Sequence, residues 1–322
     1  MKQLITLCSL AFLFGACQKK ELPAPAFDRG DVITNEVDMG STYKEQIWYS
    51  LSSNRIISSN HKTDWDLAFE TSATGNHIYL NGSKAMKTYK TAFTDLSAVN
   101  DTTGLEVYSK ADAPSGNSDS TAFEDIQANS VVYIINRGFS ETGAVLGFYK
   151  LKMTSVSATQ FVFEYGDIFG TQISQATVNK DEDYNFVMFS FNTNQQLVIE
   201  PKKTEYDICF TGYTHIFLHP FQYYQVTGVL QNQYRTRTIL IKDKPFADIG
   251  INDTLGRQFS AFRNAIGYEW KTFNLNTNLY AVDPSYCYII NDHNGFFYKL
   301  HFIDFYNSSG IKGVPKFEFK KL

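Results

Sequence analysis

Tyr288-Ile289-Ile290-Asn291 stands near the end of this chain, with Phe297-Tyr298-Lys299-Leu300 after it and Phe317-Glu318-Phe319 closing the segment. The same series has already occurred, as YIIN at Tyr133–Asn136, FYKL at Phe148–Leu151 and Phe163-Glu164-Tyr165. Upstream of the two series lie YSLSSNRIISSNHKTDWDLAF (Tyr49–Phe69) and FSFNTNQQLVIEPKKTEYDICF (Phe189–Phe210). Each holds an alternating aromatic strand, an Asn-rich turn, a second apolar strand, a Lys-Thr pair and an Asp inside an aromatic run. Asp66 and Asp207 are 141 positions apart and the two YIIN tyrosines 155 apart. The drift of 14 reads as a loop insertion, which is tolerated because closure entropy grows only logarithmically with length. Four matched elements in unchanged order predict a tandem duplication with copies at 31–170 and 171–322. The period far exceeds the roughly 20–50 residues of a solenoid repeat, so two similar globular domains are expected.

Each copy reads as β-structure. In Trp65-Asp66-Leu67-Ala68-Phe69 the large apolar residues fall at every second position, the period of a half-buried strand. Phe297–Ile303, SATQFVFEY and VPKFEF continue in kind, and Gly75-Asn76, Asn81-Gly82, Asn294-Gly295 and Ser309-Gly310 supply turn chemistry between strands. A short helical piece is expected around Gln258–Ile266, and ADAPSGNSDST (111–121) reads as an exposed polar loop. The fold class is therefore all-β, in two antiparallel β-rich domains.

The chain has 322 residues, 43% of them hydrophobic and 16% aromatic, enough to bury two cores. Its net charge of −4 argues against nucleic acid as a partner, because binding a polyanion calls for a clear basic excess. At the N-terminus, Lys2 precedes an apolar run from Leu4 to Phe14, and Gly15-Ala16 leads into Cys17. This pattern predicts an export signal over 1–16 and a lipidated Cys17, with 17–30 a Pro-containing tether. The apolar run is shorter than the roughly 20 residues a spanning helix needs, so the membrane contact expected is through lipid alone. The remaining thiols, Cys209 and Cys287, lie in strand-like runs. They read equally as one disulfide in an oxidising compartment or as two buried small apolar residues.

DWDLAF (64–69), IGYEWKTFN (Ile266–Asn274) and FYKLHFIDFYNSSGIKGVPKFEF (297–319) resemble the HmuY-type lipoproteins of Gram-negative bacteria. The resemblance is most specific from Ile266 onward and covers the second copy loosely; the first copy shares DWDLAF, YIIN and FYKL but lacks the IDFYN–GIKG segment. It implies an all-β lipoprotein on the outward face of the outer membrane that captures haem for a TonB-dependent receptor. It also implies an iron held between two side chains, histidines or methionines, beyond the WDLAF-type segment.

That region of the second copy offers His215 and His219, in TGYTHIFLHPFQYY; the corresponding region of the first offers His77 and Met86. On a helix, residues four apart share a face, but β-like sequence and Pro220 favour a strand. Four strand residues span about 13 Å, whereas axial nitrogens on one iron stand only about 4 Å apart at ~2 Å per bond. Either one histidine ligates with a distant partner, or the turn at Pro220 folds His219 back, or both are ordinary strand-edge residues. Tyr213, Phe217 and Tyr223, within an aromatic cluster that also holds Phe210, Phe221 and Tyr224, are the candidate walls for a porphyrin, a platform for a sugar, or a sandwich core. His77 and Met86 flank an expected hairpin and otherwise read as a surface histidine and a packed methionine. Met153, which matches Phe302, reads as core, His301 as a solvent-facing strand residue, and His61 and His293 as turn residues.

No nucleophile elbow, zinc helix, phosphate loop or CxxC pair occurs, and no enzymatic activity is expected. Asp66 and Asp207 read as turn-satisfying groups, with a pair of sugar-flanking carboxylates as the catalytic alternative. The expected function is ligand capture at the cell surface, with haem as the leading ligand. A non-haem interaction or structural lipoprotein and a carbohydrate-binding module are the alternatives.

Overall fold

The computed structural model describes residues 30–124, 126, 128 and 131–322. The signal at 1–16, Cys17 and all but the last residue of the tether lie outside the described residues. The chain is all-β. Its first strands are β1 (Ile33–Glu36), β2 (Glu45–Ser50), β3 (Arg55–His61), β4 (Leu67–Glu70), β5 (Ile78–Leu80) and β6 (Lys87–Lys90). After a long connection come β7 (Tyr133–Asn136), β8 (Phe148–Val156), β9 (Gln160–Asp167) and β10 (Ser174–Asn179). The second series runs β11 (Phe186–Ser190), β12 (Gln195–Leu197), β13 (Ile208–Leu218), β14 (Phe221–Gln231) and β15 (Arg237–Ile241). It ends with β16 (Lys271–Asn274), β17 (Leu279–Val282), β18 (Cys287–Asn291), β19 (Phe297–Tyr306) and β20 (Lys312–Lys321). Both YIIN strings form strands, β7 and the body of β18, and both FYKL strings open the next one, β8 and β19.

Pairing crosses the boundary expected near residue 170. The sheets run β10-β9-β8-β7-β6, β1-β20-β19-β18-β15, β12-β11-β4-β5 and β14-β13-β2-β3. Hairpin β2–β3 therefore pairs with β13, and hairpin β11–β12 with β4. Each five-stranded sheet packs on a four-stranded one. Phe69, Phe189, Phe161, Phe163 and Tyr133 fill the first core; Tyr49, Phe210, Tyr288, Phe302 and Phe317 fill the second. Strand alternation dictates this: Leu67 and Phe69 point into the core while Ala68 faces the other way, toward Trp65, Tyr79 and Phe186. Met153 and Phe302 are both fully buried.

The same bonds recur at matched positions. Asp66 N donates to Phe189 O and Asp207 N to Tyr49 O, both at 2.9 Å. Asn81 Nδ2 donates to Lys62 O and Trp65 O, and Asn232 Nδ2 to Lys203 O and Tyr206 O. A register shift falls between Met153 and Ser155 on β8 and between Phe302 and Asp304 on β19.

The segment Gln258–Ile266 is not helical. Its backbone is recruited by the neighbouring ladder, Ser260 N donating to Thr238 O at 2.8 Å and Arg263 O accepting from Gln231 N at 2.7 Å. The 111–121 loop is pinned rather than free, because the Asp112 carboxylate accepts from Leu80 N at 2.6 Å and Ala122 N at 2.7 Å. Cys209 and Cys287 are both buried and free.

Candidate functional site

Each of the two recurring aspartates is fully buried and accepts a backbone N–H at the turn of the hairpin it pairs with. Asp66 Oδ2 accepts from Phe191 N at 2.8 Å, and Asp207 Oδ2 from Leu51 N at 2.7 Å. Their surroundings then diverge. Asp66 is neutralised by Lys84 Nζ and by Arg137, whose Nε and Nη2 lie at 3.1 and 3.2 Å. Among the described residues the one basic group paired with Asp207 is His293, with Nδ1 3.6 Å from Oδ1, too long for a hydrogen bond. The difference is legible after each YIIN: Arg137 follows the first, Asp292-His293 the second. Proximity of the Asp207 carboxylate raises the His293 pKa, and burial raises that of Asp292. These buried carboxylates tie the starts of the inner strands β4 and β13 to the turns of the hairpins paired with them.

The second asymmetry is in the hairpins themselves. Fifteen positions separate Asp66 from Asn81, and β4 and β5 between them are short; twenty-five separate Asp207 from Asn232. The extra residues lengthen β13 and β14 into a paired ribbon that turns at His219-Pro220, a cis peptide. Five more residues on each arm project it by roughly 16 Å. Its base is held to the first half, where Thr214 Oγ1 donates to Gly82 O and Gln225 Nε2 to Ser83 O, each at 3.2 Å. Beyond that contact the ribbon is exposed: Leu218 is 68%, Phe221 63% and Tyr224 52% accessible.

Tyr213, His215 and Phe217 alternate along β13 and so share a face. The His215 ring stands edge-on to Phe217 at 4.7 Å and to Tyr268 at 5.1 Å, and Phe217 lies 5.8 Å from Tyr224. Tyr224, directly opposite His215 in the register, belongs to this face, and strand pairing alone would have selected it over Tyr223. Tyr223 lies on the other face, with Lys87 Nζ 4.8 Å from its ring and Phe221 beside it. His219 sits in the turn, exposed. Burial lowers the His215 pKa, which keeps its imidazole neutral and able to donate a lone pair. Its Nδ1 is buried without a hydrogen-bond partner.

The alternative candidates His77 and Met86 are placed differently. His77 Nδ1 binds Glu70 Oε2 at 2.7 Å, and Met86 is fully buried in the first core. His61 is exposed beside Glu45. His301 is half-buried rather than solvent-facing, stacked 4.0 Å from Phe246 and 3.0 Å from Glu318. Among the described residues no cluster of three or more His, Cys, Asp or Glu groups could hold a metal ion. A porphyrin iron, already held by four ring nitrogens, needs only one or two.

One concavity lies under the ribbon and another on the first half of the β-structure. A cavity of about 130 Å3 beneath His215 is walled by Tyr213, Tyr268, Tyr288 and Glu269. Pockets for drug-sized ligands run from about 300 Å3 upward, so this cavity is too small to enclose a macrocycle. A larger polar groove of about 510 Å3, away from the tip, is lined by Tyr79, Tyr184, Phe186, Tyr234, Glu70 and Glu182.

No helix among the described residues is long and apolar enough to cross a membrane. No curated protein matches the chain. Among solved structures, apo PinO from Porphyromonas gingivitis aligns over 91% of this chain and 98% of its own at 10% identity, with a TM-score of 0.38. A putative HmuY-like haem-binding protein from Bacteroides vulgatus aligns over 91% and 95% at 10% identity and a TM-score of 0.25. The apo HmuY analogue of Tannerella forsythia aligns over 91% and 98% at 9% identity, also with a TM-score of 0.25. The model of the HmuY protein family matches residues 42–319, both halves of the β-structure. The chain belongs to the HmuY family.

Proposed function

We propose that this protein is a surface lipoprotein, anchored through Cys17 in the outer membrane, that captures haem on the β13–β14 ribbon and yields it to a TonB-dependent receptor. The observation that carries the reading is the asymmetry between two otherwise matched hairpins: the longer one bears an exposed aromatic face around a neutral histidine. Phe217 and Tyr224 offer flat apolar surface to a porphyrin, and His215 offers one axial nitrogen. His219, four strand positions away, meets the solvent at the turn and does not share the same iron. Family membership supports haem over other planar ligands. Haemin titration followed by ultraviolet-visible spectra tests the proposal. A saturable one-to-one Soret shift, weakened at least about tenfold (roughly 1.4 kcal/mol) by His215→Ala and little changed by His219→Ala, is expected. A flat titration at micromolar haemin overturns it.

A tandem duplication with exchanged hairpins underlies this reading, with copies at 31–170 and 171–322. Its support is the recurrence of bonds at Asp66 and Asp207, at Asn81 and Asn232, and of the register shifts in β8 and β19. In this view one copy keeps the short ancestral hairpin and the other carries the ligand.

The polar groove beside Tyr79 and Phe186 favours a second reading, a carbohydrate-binding module, because tyrosine faces beside carboxylates suit a sugar ring. Glycan binding in the absence of any Soret shift would select it.

A further inference from the structure

The small cavity under His215 has a chemistry of its own. Tyr213 is only 4% exposed, yet its hydroxyl has no hydrogen-bond partner, and the buried Nδ1 of His215 has none either. Both residues line the same space. A buried polar atom left unpaired costs roughly 1–3 kcal/mol, and here two occur on one wall. Gly267, at φ +70°, keeps the space open: a Cβ there would stand 3.5 Å from Tyr213 Oη. Glu269 lines the cavity, is exposed and makes no ion pair among the described residues. Its charge bears on Tyr213, Tyr268, Tyr288 and His215 alike.

The unpaired atoms are a phenol and a neutral imidazole, both able to accept a hydrogen bond, and the nearby charge is negative. Tyrosine faces add attraction for a cation. One ring already serves so, with Lys242 Nζ 3.8 Å from the centre of Tyr286. An anion has no cationic partner among the lining residues. A primary ammonium carries three N–H donors and one positive charge, matching Tyr213, His215 and Glu269 in number and sign. The volume of about 130 Å3 is several times the ~10–15 Å3 that a single water needs, room for an ammonium and one or two carbons.

We propose that this cavity binds a primary alkylammonium group, either a small free amine or the end of a lysine side chain. The proposal does not depend on haem capture, since it concerns the haem-free protein and a different ligand.

The test titrates the haem-free protein, by NMR or calorimetry, with ethylammonium, N-acetyl-lysine amide and tetramethylammonium, the last having the charge without the N–H donors. Saturable millimolar binding of ethylammonium is expected, at least about tenfold tighter than tetramethylammonium. Glu269→Gln and Tyr213→Phe should each weaken it severalfold. Tyr213→Phe removes only an unpaired hydroxyl, so an unchanged melting temperature separates lost binding from lost folding. Equal or tighter binding of N-acetyl-lysine amide assigns the site to a side chain, and weaker binding to a free amine. Absence of saturation, equal binding of all three cations, or indifference to both substitutions leaves a solvent-filled cavity only and overturns the proposal.

Discussion

His293 Nδ1 lies 3.6 Å from Oδ1 of Asp207, at the position where the first half of the chain sets Arg137 and Lys84 against Asp66. One buried carboxylate is thus held by a lysine and an arginine, and the other faces a histidine, the side chain whose unperturbed charge change falls between pH 5 and 8.

Stability should follow His293. Its pKa is raised in the folded state, chiefly by Asp207 and against an opposing effect of burial, with Asp292 adding to the rise. The stabilisation is therefore complete below the unfolded-state value of about 6.5 and is lost as pH rises through the higher folded-state value. The melting-temperature advantage of the wild type over His293→Gln should therefore be greatest near pH 5.5 and shrink towards pH 8.5, Lys271 acting alike in both. Parallel curves would show that the pair contributes nothing.

Asp66→Asn should be more damaging than Asp207→Asn. The first change leaves Lys84 buried and Arg137 nearly so beside an uncharged amide, and breaking a buried ion pair costs about 3–5 kcal/mol. The second leaves no fixed cation behind. Urea unfolding of both variants gives the comparison, and an equal loss would refute the distinction.

Lys271 is a buried amine with no carboxylate partner among the described residues. It donates to Thr227 O and lies against Trp270 and Phe305, and burial pushes its pKa down to about 7. The unfolded chain takes up this proton near pH 10.5, so stability rises with pH between the two values. Lys271→Met should stabilise the protein at neutral pH by ~2 kcal/mol, the aromatic faces offsetting part of the larger desolvation cost. That advantage should vanish above pH 10.5. A variant less stable than wild type at pH 7 would show that the aromatic contacts outweigh desolvation.

Phe217→Ala and Tyr224→Ala should leave the unfolding free energy within about 0.5 kcal/mol, as exposed substitutions do, while weakening haemin binding severalfold. Haemin affinity unchanged in both would move the ligand off this face.

The sequence was most legible where strand periodicity and repeated strings coincide. YIIN, FYKL and the two aspartates announced equivalent strands because burial on one face demands alternation. Which strand each hairpin joins was not legible, since pairing Asp66 with β11 or with β2 leaves the local pattern unchanged. His215 and Phe217 could be placed on one face by counting in twos. The same counting separates Tyr223 from them, once the turn at His219-Pro220 fixes the register. The cavity below remained hidden because Gly267, Tyr268 and Glu269 reach it from forty and more residues away.

The exchanged pairing constrains how the chain acquires its shape. Strand β1 finds its partner only in β20, with Ile33 opposite Phe319, and hairpin β2–β3 waits for β13. A chain emerging from the ribosome in order therefore holds open edges until nearly its last residue is available. The strands of the first core, β4 to β12, are all available by Leu197, whereas the second core must wait for β18 to β20, and a non-local topology of this kind folds slowly.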